Sequence, residues 1–129
     1  MLKTGILNPH INELLSRFRH TNTIVVSDRG FPFWPEVPTV DISLVDGVPT
    51  VMQVLEALAP AVTIGKAWMA EEFAAVNEAG VIEGFANVLG DVKIEREPHD
   101  EFKRRVPRAI GLIRTADTTQ YANIILESA

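Results

Sequence analysis

No cysteine occurs among the 129 residues. That excludes a disulfide framework and any thiolate-bound metal, and it fits a reducing compartment. Basic residues are in deficit, since 12 Lys and Arg against 17 Asp and Glu leave a formal net charge of −5. The one basic cluster, Lys103, Arg104, Arg105 and Arg108, lies beside Asp100 and Glu101. A nucleic-acid partner is therefore not expected, because such proteins gather positive charge on one face. Long apolar runs are missing as well. None approaches the roughly 20 residues that cross a bilayer, so no membrane partner is expected. The opening Met1-Leu2-Lys3-Thr4-Gly5-Ile6 lacks the apolar stretch of a signal peptide, and a cytoplasmic location follows as the expectation. Also absent are G-x-G-x-x-G, a Walker loop, G-x-S-x-G and H-E-x-x-H. Dinucleotide, nucleotide, serine-hydrolase and zinc-protease chemistry thus lack their usual signatures.

What remains is a globular balance of 47% hydrophobic and 22% charged residues, in a length suited to one domain over residues 1–129. Asn8-Pro9 reads as an N-cap followed by proline at the first helical position. Ile11, Leu14, Leu15 and Phe18 then recur at helical spacing, predicting a helix to about Arg19. Thr23-Ile24-Val25-Val26-Ser27 is β-branched and nearly continuous, as in a buried strand, and Asp28-Arg29-Gly30 ends it in a turn. A short strand is expected over 40–44, a Thr50-capped helix through Leu58, a strand over 62–69, and helices over 71–77 and 81–89. A strand over 92–96, a helix opened by Pro98, and apolar strands over 110–113 and 122–126 complete the chain. Strands alternating with helices predict a layered α/β fold, its largely parallel sheet flanked by helices. In such sheets ligands bind beyond the carboxyl ends of the strands, which draws attention to polar residues there.

Three histidines are available for chemistry: His10, His20 and His99. His10 falls in the first turn of the first helix and reads as a surface residue. His20 closes that helix, either as a partner for the helix dipole or as a functional imidazole. Asp28 follows the first strand, as a turn former or as a carboxylate able to orient an imidazole. His99 and Lys103, four apart, share one helix face. That face is either solvated or a site where the ammonium keeps the imidazole neutral. Tyr121 and Asn123 offer a hydroxyl and an amide suited to a polyol. Glu71 and Glu72 read as first-turn helix acids, and Trp34 as a core or interface residue or a face for a sugar ring.

These blocks fall in a recognisable order. Lys3-Thr4-Gly5-Ile6-Leu7-Asn8 is followed by Arg19-His20-Thr21-Asn22-Thr23 and Val25-Val26-Ser27-Asp28. Next come Asp46-Gly47-Val48-Pro49-Thr50 with Met52-Gln53-Val54-Leu55, then Ala70-Glu71-Glu72, His99-Asp100-Glu101-Phe102-Lys103 and Tyr121-Ala122-Asn123-Ile124-Ile125-Leu126. Over nearly the whole chain this resembles the ribose pyranase and fucose mutarotase family, and the ribose branch more closely because of His99. The resemblance implies the α/β fold of that family and a ring-like homo-oligomer, typically a decamer, with sites near subunit contacts. It implies interconversion of pyranose and furanose forms of ribose, or of fucose anomers, without cofactor or metal. It matches the proton donor to His20 and sugar-binding positions to Asp28, His99, Tyr121, Ala122 and Asn123, with Lys103 a further contact. The alternatives are an L-fucose-type anomer mutarotase and a non-catalytic sugar-binding module. Arg29 and Trp34 stand in a bulkier segment than the short aliphatic one of ribose pyranases. They are candidates for setting specificity, toward an acidic or phosphorylated sugar if Arg29 faces inward.

Overall fold

The computed structural model describes residues 1–129. Helix α1 (Pro9–Ser16) opens as its sequence requires, with the Asn8 side chain accepting from the N–H groups of His10 and Ile11. It stops before Arg19 because Arg17 and Phe18 bond back to Leu14 and Leu15, tightening the last turn. A separate turn follows, in which the Asn22 side chain accepts from the N–H of Arg19.

The remaining elements are β1 (Thr23–Ser27), β2 (Thr39–Asp41), α2 (Val51–Leu58), β3 (Ile64–Ala70), α3 (Glu71–Val76) and α4 (Ala79–Val88). They continue with β4 (Ile94–Glu97), α5 (His99–Arg105), a short 3-10 turn over Val106–Arg108, β5 (Gly111–Arg114) and β6 (Ile124–Ser128). The predicted strand over 40–44 is thus shorter, since the Asp41 carboxylate accepts from the N–H of Ser43 and turns the chain out of the sheet. No helix is long and apolar enough to cross a membrane.

All six strands form one sheet in the order β2-β5-β1-β6-β3-β4. Pairings β2–β5, β5–β1 and β3–β4 are parallel, whereas β6 runs antiparallel to both of its neighbours, β1 and β3. The sheet is therefore largely parallel, as the sequence predicts, with one reversed strand near its centre. Alternation along the strands splits the core between two faces. Ile24, Val26, Met69, Ile124 and Leu126 meet α1, α2, α3 and α4 on one face, where Phe73 and Phe85 sit with ring centroids 4.8 Å apart. Val25, Trp68, Leu112 and Ile125 meet Phe102, Val106 and the loop residues Phe31 and Val37 on the other.

Helix α2 carries a reciprocal capping box. Thr50 Oγ1 accepts from the N–H of Gln53, and the Gln53 side chain accepts from the N–H of Thr50. Replacing Thr50 with Ala removes one half of this box and leaves an orphan donor. The variant should lose about 1 kcal/mol of stability, read as a lower urea midpoint with unchanged slope.

Candidate functional site

Sheet polarity decides what gathers at each edge. Asp28 follows β1, and His99 begins α5 two residues after β4 ends, so both lie at the carboxyl edge of the parallel strands. The segment 117–121 leaves β5 at that edge. Because β6 is antiparallel, with Val26 opposite Ile124, the residues just before β6 arrive there as well. Asp28, Arg29, Phe31, His99, the 117–121 segment and Asn123 thereby line one open cavity of about 420 Å³.

Asp28 is the most tightly oriented group in it. Its backbone N–H donates to Asn123 Oδ1 at 2.8 Å, while Asn123 Nδ2 donates to Asp28 Oδ2 at 3.1 Å. The other carboxylate oxygen accepts from the N–H of Gly30 at 3.0 Å. Asn123, almost fully buried, therefore serves Asp28 at both ends of its amide and has one N–H left for a ligand. Burial raises the Asp28 carboxyl above the ordinary carboxylate range, although the Gly30 and Asn123 donors oppose it, and the nearby Asp117 carboxylate adds to the rise.

His99 stands in an aromatic frame. Its ring is edge-on to Tyr121 at 5.1 Å and to Phe31 at 6.2 Å, and it stacks on Phe102 at 6.0 Å. The backbone N–H of His99 donates to both carboxylate oxygens of Glu72, each at 3.1 Å. Glu72 thus does more than decorate its own helix: it caps the start of α5 and fixes where the imidazole begins. Nδ1 is buried without a hydrogen-bond partner. Burial lowers the imidazole below its ordinary range, with the Lys103 ammonium next in effect and Glu72, Asp100 and Asp28 opposing. A lowered imidazole and a raised carboxyl bring the proton affinities of the two groups at this edge closer together.

Tyr121 is held at φ 57, in the left-handed region, and Ala122 is buried in the core beneath it. Strain of this kind costs roughly 1–3 kcal/mol and persists only where its surroundings impose it. Part of that constraint comes from Asn77, whose side-chain amide donates to the carbonyls of Phe73 and Gln120, tying the loop to α3. Asp117 adds to it. Its Oδ1 accepts from the N–H of Thr119 and its Oδ2 from that of Val51, so the same carboxylate joins the cavity loop to the start of α2. The sequence reading passes over Asp117 and Phe31. Asp117 follows a strand, which is the signal that would have flagged it.

Four predicted residues do not line the cavity in the protomer, the first being Ala122, which is buried in the core. Lys103 pairs with Asp100 at 3.3 Å and lines a separate shallow recess with Trp34. Trp34 packs on the outer core cluster, 6.3 Å from Phe31, on which it rests. His20 is exposed near Thr63 and Ser128, before β1, at the opposite edge of the sheet. Five strand residues at about 3.3 Å each keep it some 15 Å or more from Asp28. Arg29 does reach the rim, but its guanidinium is paired with the Asp46 carboxylate at 2.7 Å. His10 lies on α1 beside Glu13 and Arg17, also away from the cavity.

Lys103 thus acts on His99 through charge. Replacing Lys103 with Met should raise the His99 pKa while leaving it below the ordinary value, because burial is the larger cause and is retained. Titration followed by NMR of histidine labelled at Cε1 checks this, and an unmoved resonance would refute it.

The same arrangement of strands and loops occurs in proteins similar to this one along its full length. Residues 1–129 match the RbsD / FucU transport protein family. The D-ribose pyranase of Geobacillus kaustophilus is 40% identical over 128 residues, covering 99% of this chain and 93% of that protein. Bacillus subtilis RbsD, solved in complex with D-ribose, is 35% identical with a TM-score of 0.93, covering 100% of this chain and 98% of the other. The fucose mutarotase of Streptococcus pneumoniae, solved with L-fucose, shares the fold at 16% identity and a TM-score of 0.77, covering 99% and 98%. With its whole length matched by the family and by relatives at 35–40% identity, the chain belongs to the RbsD/FucU family.

Proposed function

We propose that this protein is a cytoplasmic, cofactor-independent isomerase that interconverts the pyranose and furanose forms of a free monosaccharide, D-ribose. The observation that carries the reading is the pairing at the cavity of a raised Asp28 carboxyl, locked by Asn123, with a neutral His99. Similarity at 35–40% identity to D-ribose pyranases and to a ribose complex supports the choice of sugar. The paired Arg29 supports a neutral sugar rather than a phosphorylated one, since its charge is already matched by Asp46.

The chemistry needs two proton transfers. A base takes the proton of the anomeric hydroxyl while an acid protonates the ring oxygen, the bond between C1 and the ring oxygen breaks, and an open-chain aldehyde forms. Addition of a different hydroxyl to C1 reverses both transfers and gives the other ring size. Asp28, His99, Tyr121 and Asn123 would hold the hydroxyls and serve the base's part in these transfers. General acid–base assistance is worth about 10²- to 10⁴-fold.

The family resemblance assigns the proton donor to His20, yet within one protomer that imidazole stands at the far edge of the sheet. The reading therefore requires a second copy of the chain, whose His20 enters the cavity of the first. A homo-oligomeric ring, decameric by resemblance, would repeat this contact around its circumference.

Saturation-difference NMR on ribose tests the activity. Saturation should pass between pyranose and furanose anomeric protons with the wild type and not with His20→Ala. Ribose binding without transfer would instead mark a sugar-binding module, and transfer only with fucose would move the substrate to that branch. Coexpression tests the sharing. His20→Ala and Asp28→Asn should each be inactive alone, whereas mixed assemblies should regain about a quarter of the sites, those pairing an intact His20 with an intact Asp28. Mixed assemblies with no activity would place both residues in one chain's site.

A further inference from the structure

One wall of the cavity is the segment 28–32, which supplies Asp28, Arg29, Phe31 and Pro32 to its lining. It belongs to no helix or strand, and its single backbone–backbone hydrogen bond is from the N–H of Arg29 to the carbonyl of Asp117. The carbonyls of Asp28, Arg29 and Pro32 receive no backbone donor. A segment so poor in main-chain bonds ordinarily drifts, and its orphan carbonyls must be met by something else.

What meets them is one side chain. Arg114 ends β5, in register with Ser27 of β1 and Asp41 of β2, so its side chain starts between the strands that bracket this segment. Arg114 Nη1 donates to the Asp28 carbonyl at 3.4 Å and to the Arg29 carbonyl at 3.2 Å, and Nη2 donates to the Pro32 carbonyl at 3.1 Å. The Asp41 carboxylate lies near enough to act on it through charge. Arg114 itself does not line the cavity. The planar fork of a guanidinium spans carbonyls at both ends of the segment, which the point charge of a lysine ammonium does not.

We infer that Arg114 is a positioning residue for the sugar site, substituting for secondary structure in the 28–32 wall and thereby placing the Asp28 carboxylate and the Phe31 ring opposite His99. The inference deepens the proposed isomerase reading and rests on it for the activity measurements, though not for the measurement of the wall itself.

Arg114→Lys and Arg114→Ala test it. With the wild-type assembly, kcat/KM for ribose exchange should fall about tenfold in either variant, chiefly through KM, because a displaced wall weakens binding and alignment. A purely structural role would reduce the folded fraction and lower the maximal rate at unchanged KM, and that result would overturn the inference. Millimolar guanidinium should restore part of the lost activity to Arg114→Ala and none to Arg114→Lys. If the alanine variant fails to fold, the lysine variant decides by its KM alone. Hydrogen-exchange mass spectrometry gives a readout independent of the reaction. Amides of peptides covering 28–34 should exchange faster in Arg114→Lys while those of β1 and β6 stay protected, and unchanged exchange in that segment would overturn the assignment. If the wild type does not exchange ribose, the substrate reading fails, and the exchange pattern still settles what Arg114 does.

Discussion

Everything at the cavity depends on the reversed direction of β6. In a wholly parallel sheet, the residues that precede a strand lie at the edge opposite to the residues that follow its neighbour. Here Val26 faces Ile124 across an antiparallel ladder. The chain entering β6 therefore meets the chain leaving β1, and Asn123 can grip Asp28 by both its backbone and its side chain. Tyr121 is carried to the same place by the same reversal. The rule that ligands gather at the carboxyl ends of parallel strands accounts for Asp28, His99 and Asp117. It accounts for Tyr121 and Asn123 only once β6 is known to run backward.

The electrostatics follow from this convergence. Two carboxylates, Asp28 and Asp117, are brought into one partly buried cavity, and burial together with mutual repulsion lifts the proton affinity of Asp28. On the facing side, burial and Lys103 lower that of His99. The two groups are displaced toward each other, so proton exchange between them and a bound hydroxyl is less uphill than between an ordinary carboxylate and imidazolium. Lys103 achieves its effect without lining the cavity. Its place one turn along α5 from His99 is a matter of field rather than contact.

Much of the architecture was legible in the chain. Asn8-Pro9 and Thr50 mark helix starts because capping is a local interaction between near neighbours, and both caps form as read. The buried strands announced themselves by β-branched runs, and alternation with helices implied a layered α/β sheet. Boundaries were lost where a side chain bonded the backbone just beyond a strand, as Asp41 does Ser43, or where the last turn tightened, as after Ser16. The cavity was half legible. Asp28, His99, Tyr121 and Asn123 were singled out and do converge. Phe31 was not, because it acts from a loop without periodicity, and Glu72 was read only as an acid of its own helix because its partner begins a helix 27 residues further along. No spacing rule connects such pairs before the fold has joined them.

His20 sharpens the meaning of the sheet's two edges. It precedes β1 just as Asp28 follows it, and a rigid buried strand with no exposed residue between Ile24 and Ser27 separates them. No hinge within β1 can bring the two together without breaking its ladders to β5 and β6, which would cost most of the sheet's centre. Two side chains fixed at opposite ends of one strand can share a substrate only when another copy of the chain supplies one of them. Such a contact is reciprocal in a two-fold pair, or heterologous, and then closes into a ring when the rotation between neighbours divides a full turn. If His20 takes part in the reaction, the rigidity of β1 therefore makes assembly part of the active site, and a lone protomer would carry a complete cavity with an incomplete set of proton carriers.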